Sequence, residues 1–166
     1  LAVEQKSYRI LYGQGLMSEL SLDQFNARIA LLQDAVLGGD FSFKPVGFMP
    51  LENTWSRYLQ SFVERVAGDK PWLARQRSHS AIACYEYWAI LARVSDMVCS
   101  KLELFKEKEG AIFAEGVQSC LDIYVQERDH AEKEIAEVAE KYAELVIEHQ
   151  IEICDRIAHI AQNEAI

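Results

Sequence analysis

From Val117 to Ile166 the chain runs for about fifty residues without a glycine or a proline. Within that stretch Val117, Leu121, Tyr124, Ala131, Ile135, Val138, Tyr142 and Leu145 fall on a seam of steps of four and three, the spacing of an apolar stripe on a helix. At ~1.5 Å per residue a continuous helix of this length is a rod of roughly 75 Å. A rod that long does not bury itself, so the spacing predicts other long helices alongside it. Arg128 and His149 fall where the seam asks for apolar residues, and beyond Val146 the stripe shifts by one, to Ile153, Ile157 and Ile160. Such a shift is expected where a straight helix meets a heptad partner.

The rest of the chain supplies those partners. Residues 1–37 read as helical, with Val3, Tyr8, Ile10, Leu11 and Met17 on an apolar side; Gly13 and Gly15 weaken the middle and leave open one kinked rod or two helices, a continuous or gently broken rod being the favoured reading. Ser21 and Gln24 form a capping-box pattern, and Gly38-Gly39 stops the helix. Residues 38–53 read as a loop pinned by Phe41, Phe43 and Phe48, and a short helix over 54–67 follows. Pro71 opens a helix that runs to about Glu109, its seam marked by Cys84, Trp88, Leu91, Ser95, Val98, Leu102 and Phe105. The expected fold is all-α, a single domain over 1–166. It is an antiparallel up-down four-helix bundle with long terminal helices, in layers 1–37, 54–67, 71–109 and 112–165.

A net charge of −9, from 26 acidic and 17 basic residues, argues against nucleic acid as a partner, because phosphate backbones reward basic stripes. No apolar run reaches the ~18–20 residues of a membrane span. Periodic helical pattern at both ends predicts that the terminal helices continue into a longer parent protein. Cys84, Cys99, Cys120 and Cys154 occur singly, without zinc or redox spacing, and each is expected as a small buried hydrophobe beside an apolar stripe.

The sharpest metal candidate is Glu127-x-x-His130, the pair that ferritin-like di-metal bundles carry on their inner faces. A second such pair is missing, and the surrounding QERDHAEKE run reads as a solvated charged face, so neither metal nor cofactor is expected. With no GxSxG, HExxH or phosphate loop, the chain does not read as an enzyme. Basic residues are few, among them Lys6, Arg9, Arg28, Arg57, Arg65, Arg75 and Arg77. An arginine between helices of an acidic protein is a forked anion site. Arg9, beside Tyr8, Ile10 and Leu11 and one turn from Gly13, is the foremost candidate; the other reading pairs it with Glu144 or Glu148. Tyr85, Tyr87 and Trp88 line either a pocket or the core.

Three segments resemble the extracytoplasmic sensor domains of type IV pilus chemotaxis transducers and nitrate/nitrite sensor kinases. They are the run Lys6-Ser7-Tyr8-Arg9-Ile10-Leu11-Tyr12-Gly13-Gln14, the segment from Phe25 to Gly39, and Leu51, Trp55 and Tyr58. The resemblance implies that Arg9 contacts a small, possibly anionic ligand, with Lys6, Tyr8 and Gln14 of the same run beside it. It also implies a homodimer, anchored in the inner membrane by segments outside these residues and facing the periplasm. Two alternatives stay open: a helical interaction or scaffold module without a small ligand, and a metal- or cofactor-carrying bundle.

Overall fold

A computed structural model describes residues 1–39, 71–109 and 113–164. The expected loop beyond Gly39 and the expected helix over 54–67 lie outside the described residues. Those described are all-α, in five helices: α1 (Ala2–Gly13), α2 (Glu19–Leu37), α3 (Pro71–Glu109), α4 (Ala114–Lys141) and α5 (Ala143–Glu164). None of them is long and apolar enough to cross a membrane.

The first predicted rod is two helices. Gly15 sits at φ 72°, a left-handed conformation that side chains resist, and turns the chain between them. α5 also comes close here: a Cβ at Gly15 would meet Ile160 Cδ1 at 2.7 Å. Beyond the turn Ser18, not Ser21, caps α2, its Oγ accepting the Ser21 N–H at 3.2 Å. The Ser21-Gln24 capping box is therefore corrected to a start three residues earlier. Glu86 of α3 completes this end, its Oε1 accepting the Ser18 N–H at 2.7 Å and the Ser21 hydroxyl at 2.8 Å. A carboxylate at a helix N-terminus also suits the positive end of the helix dipole.

Helices α3 and α4 form an antiparallel hairpin. Cys99 packs on Val117 and Leu121, Ser95 meets Glu127, and Trp88 meets His130 edge-to-face at 5.2 Å. Tyr8, Phe25 and Tyr87 bring α1, α2 and α3 together as a stack with ring centroids 4.4 and 4.8 Å apart. Leu11, Ile29, Leu91, Val94, Val98 and Ala131 extend this core.

The last predicted rod is broken as well. Tyr142 leaves helical geometry at φ −132°, ψ 40°. In one straight helix His130 and His149 would lie about 28 Å apart along the axis. Yet His130 packs on Trp88 while His149 Nε2 lies 3.8 Å from Glu86 Oε2, two residues away on α3. The chain therefore turns back at Tyr142, and α5 returns to the body instead of extending α4. The phase shift beyond Val146 marks this second helix, not a heptad partner of a single rod.

The cysteines divide. Cys99 is buried and Cys84 half-buried, whereas Cys120 and Cys154 are exposed, because each lies one residue off its seam, beside Leu121 and Ile153.

Candidate functional site

Four helices converge on Arg28. Its Nη1 donates to Glu4 Oε1 of α1 and its Nη2 to Glu127 Oε1 of α4, and all three side chains are almost fully buried. Arg28 Nη1 also donates to the Tyr8 hydroxyl at 3.1 Å, and that hydroxyl donates onward to Glu4 Oε1 at 2.8 Å. The Tyr124 hydroxyl of α4 donates to Glu4 Oε2 at 2.8 Å, and the Ser95 hydroxyl of α3 to Glu127 Oε2 at 3.3 Å. Both carboxylates thus find donors on each oxygen, as burial demands. Arg28 Nε has no hydrogen-bond partner among the described residues.

Burial opposes the charge of Arg28, but Tyr8, Glu4 and Glu127 around it hold the guanidinium firmly protonated. Burial raises the Glu127 carboxyl above the usual carboxylate range against the pull of Arg28, and the like charge of Glu4 adds to the rise. Burial and the neighbouring Glu4 likewise raise the phenols of Tyr8 and Tyr124 well above their ordinary value, and burial pushes Tyr87 up to about 12. The cluster sets two carboxyl groups against one guanidinium. Its contacts fix the relative register of α1, α2, α3 and α4.

This arrangement corrects the reading of Glu127 as part of a solvated face. Tyr124, Glu127 and Ala131 follow one another at steps of three and four, so Glu127 turns inward while Arg128 turns out to Asp96 and Asp129. Arg28 occupies the space between the two carboxylates, where a bridging metal would have to sit. Among the described residues no group of three or more His, Cys, Asp or Glu side chains is placed to hold a metal.

Of the run singled out on α1, only Tyr8 enters this cluster. Lys6 and Arg9 are exposed on the helix's other side, Gln14 is exposed at its C-terminal end below Ser7 and Leu11, and Arg9 pairs with neither Glu144 nor Glu148. The inward face of α1 carries Glu4, Ser7, Tyr8 and Leu11. Tyr87 and Trp88 are core residues, while Tyr85 is half-exposed and accepts a hydrogen bond from Gln150 at 2.8 Å. Glu4, Arg28 and Glu127 were not foreseen as partners. The available signal was their place on apolar stripes: Glu4 with Tyr8 and Leu11, and Arg28 between Phe25 and Ile29.

No family model, no curated protein and no solved structure matches this chain.

Proposed function

We propose that the chain is the ligand-sensing helical domain of a bacterial transmembrane receptor, a chemoreceptor or a histidine kinase. In this reading it is anchored outside these residues, faces the periplasm, acts as a homodimer without catalysis of its own, and takes a small anion on the outer face of α1. The architecture proposed with it is the antiparallel up-down four-helix bundle, supported by the α3–α4 hairpin. One observation carries the reading: Lys6 and Arg9 stand exposed, three residues apart, on the outer face of a helix whose inner face is clamped through Glu4 and Tyr8. An anion held there in a chain of net charge −9 acts on a helix that the buried cluster ties to α2 and α4. Gln14, exposed at the C-terminal end of α1, is the neutral hydrogen-bond donor proposed with them, for a ligand that reaches round the end of the helix.

A thermal-shift screen of small anions and carboxylates tests this proposal. A ligand that raises the melting temperature of the wild type and loses that shift in Arg9→Ala supports it. A full shift in Arg9→Ala removes the α1 site, and no shift with any anion removes the sensor reading. A helical protein-interaction module is the second reading, favoured by the exposed Ile147 and Ile151 of α5.

A further inference from the structure

Helix α5 carries two stripes, about 140° apart around its axis at 3.6 residues per turn. Toward the body it turns the buried Val146 and His149 and the half-buried Ile153, Arg156 and Ile160. On its other side Ile147, Ile151, Cys154, Ala158 and Ala161 follow at steps of four, three, four and three, and all five are exposed. Ile147 and Ile151 each keep 56 % of their surface in solvent. This is the seam of a coiled coil with nothing on it among the described residues.

Its size pattern points to what covers it. The large residues, Ile147 and Ile151, stand at the N-terminal end of the seam, and the small ones, Ala158 and Ala161, at the other. A second copy of the same helix running the opposite way lays its small end over the large end of the first. Ile147 then lies opposite Ala158 and Ile151 opposite Cys154, with Ala161 beyond them, so each large residue meets a small one and one interaxial distance suits these layers. A copy running the same way would set isoleucine against isoleucine and alanine against alanine, leaving the alanine end open. We infer that α5 is a self-association surface, pairing antiparallel with the α5 of a second copy about a two-fold axis near the middle of the seam. The inference stands apart from the anion reading, since it uses no residue of α1.

The flanks of the seam make the pairing tunable. Glu148 and Asp155 lie on one edge of it, exposed, while Gln150 and Ile157 lie on the other. In an antiparallel pair like edges meet, so Glu148 of one copy approaches Asp155 of the other, and the dimer strengthens as salt screens them. In a parallel pair the acidic edge would meet the neutral one and salt would matter little.

Sedimentation of the full chain over a concentration series, at low and at moderate salt, tests the inference. The expected result is a monomer–dimer equilibrium that salt tightens, that Ile151→Glu abolishes with an unchanged helical circular dichroism spectrum, and that Glu148→Lys strengthens several-fold at low salt. Ile147→Ser, a milder change at an exposed site, weakens it to a lesser degree. A monomer at every concentration overturns the inference and leaves the seam to a different protein. A dimer indifferent to Ile151→Glu places the contact elsewhere and overturns it too. A dimer that Glu148→Lys does not strengthen overturns the antiparallel arrangement.

Discussion

The contact of α1, α2, α3 and α4 around Arg28 and the contact of α5 on α3 at His149 are built from similar parts and finished very differently. Each sets a basic side chain against a buried glutamate. Around Arg28 both carboxylates are served on each oxygen, by the guanidinium, two phenols and a serine. At His149 the ring Nε2 stands 3.8 Å from Glu86 Oε2, beyond hydrogen-bond distance, and has no partner among the described residues. A buried charge cluster that is fully connected fixes one arrangement; a buried polar atom left short of its partner holds little. The difference separates four helices joined through a fully connected buried cluster from a fifth that meets α3 through the Gln150–Tyr85 hydrogen bond and the edge of His149 on Tyr85, and nears Gly15 through Ile160.

The sharpest way to break that contrast is Arg28→Met. It leaves Glu4 and Glu127 facing each other without their counter-charge and is expected to cost about 3–5 kcal/mol in urea denaturation. A loss under about 1 kcal/mol would make the Arg28 cluster no stronger a restraint than the α5 dock.

Alkaline unfolding comes next and acts on the four-helix body. Tyr8, Tyr87 and Tyr124 have folded-state values raised above the ~10 of a free phenol. Their contribution to stability is fully present below pH ~10 and is lost as pH rises toward the folded values, about 12 for Tyr87, because only the unfolded chain then releases the protons. With three phenols the loss reaches about 4 kcal/mol per pH unit between pH ~10 and the folded value of Tyr87, about 12, and is smaller beyond it. Tyrosinate absorbance and far-ultraviolet dichroism are expected to change together; phenols that ionise while the helices persist would contradict the burial of the cluster.

Gly15→Ala tests the other side of the comparison. The left-handed backbone and the approach of Ile160 are expected to cost about 1–2 kcal/mol, with faster amide exchange in α5 than in α3 or α4. The smallest effect is expected at His149. His149→Leu keeps the site filled, removes a ring nitrogen without a partner, and is expected to shift the urea midpoint by less than about 1 kcal/mol equivalent. A loss as large as that of Arg28→Met would show that α5 is clamped as firmly as the rest.

The helical class was legible in the sequence because apolar periodicity and the scarcity of breakers act locally. The seam of α3 from Cys84 to Leu102 and that of α4 from Val117 to Ile135 face one another as the spacing predicts. The breaks were not legible at their full size. Gly15 gave a signal, a glycine in a helical pattern, whose consequence depends on α5 arriving beside it. Tyr142 gave none: no glycine or proline marks it, and only the one-residue shift of the stripe past Val146 records that a second helix has begun. The buried cluster was hidden for another reason. Glu127 lies in a charged run, and whether 127 or 128 turns inward is a matter of accumulated rotation along a helix of 3.6 residues per turn, which a strict heptad count misplaces by one. Arg9 drew attention through its neighbours, whereas Arg28, among Phe25, Ile29 and Leu32, is the arginine that faces the interior among the described residues.

The cap that Glu86 places on α2 has a consequence for the order of assembly. The first turn of α2 takes its carboxylate from a residue 65 positions away, so its start is completed only once α3 is in place. The α3–α4 hairpin, joined by a short connection, closes over a far shorter loop and needs nothing from α1 or α2 to begin. Folding is therefore expected to start in that hairpin and to finish with the docking of α1 and α2. Leu121→Ala would then slow refolding, while Ser21→Ala would chiefly speed unfolding, and the reverse pattern in stopped-flow kinetics would place the nucleus at the other end of the chain.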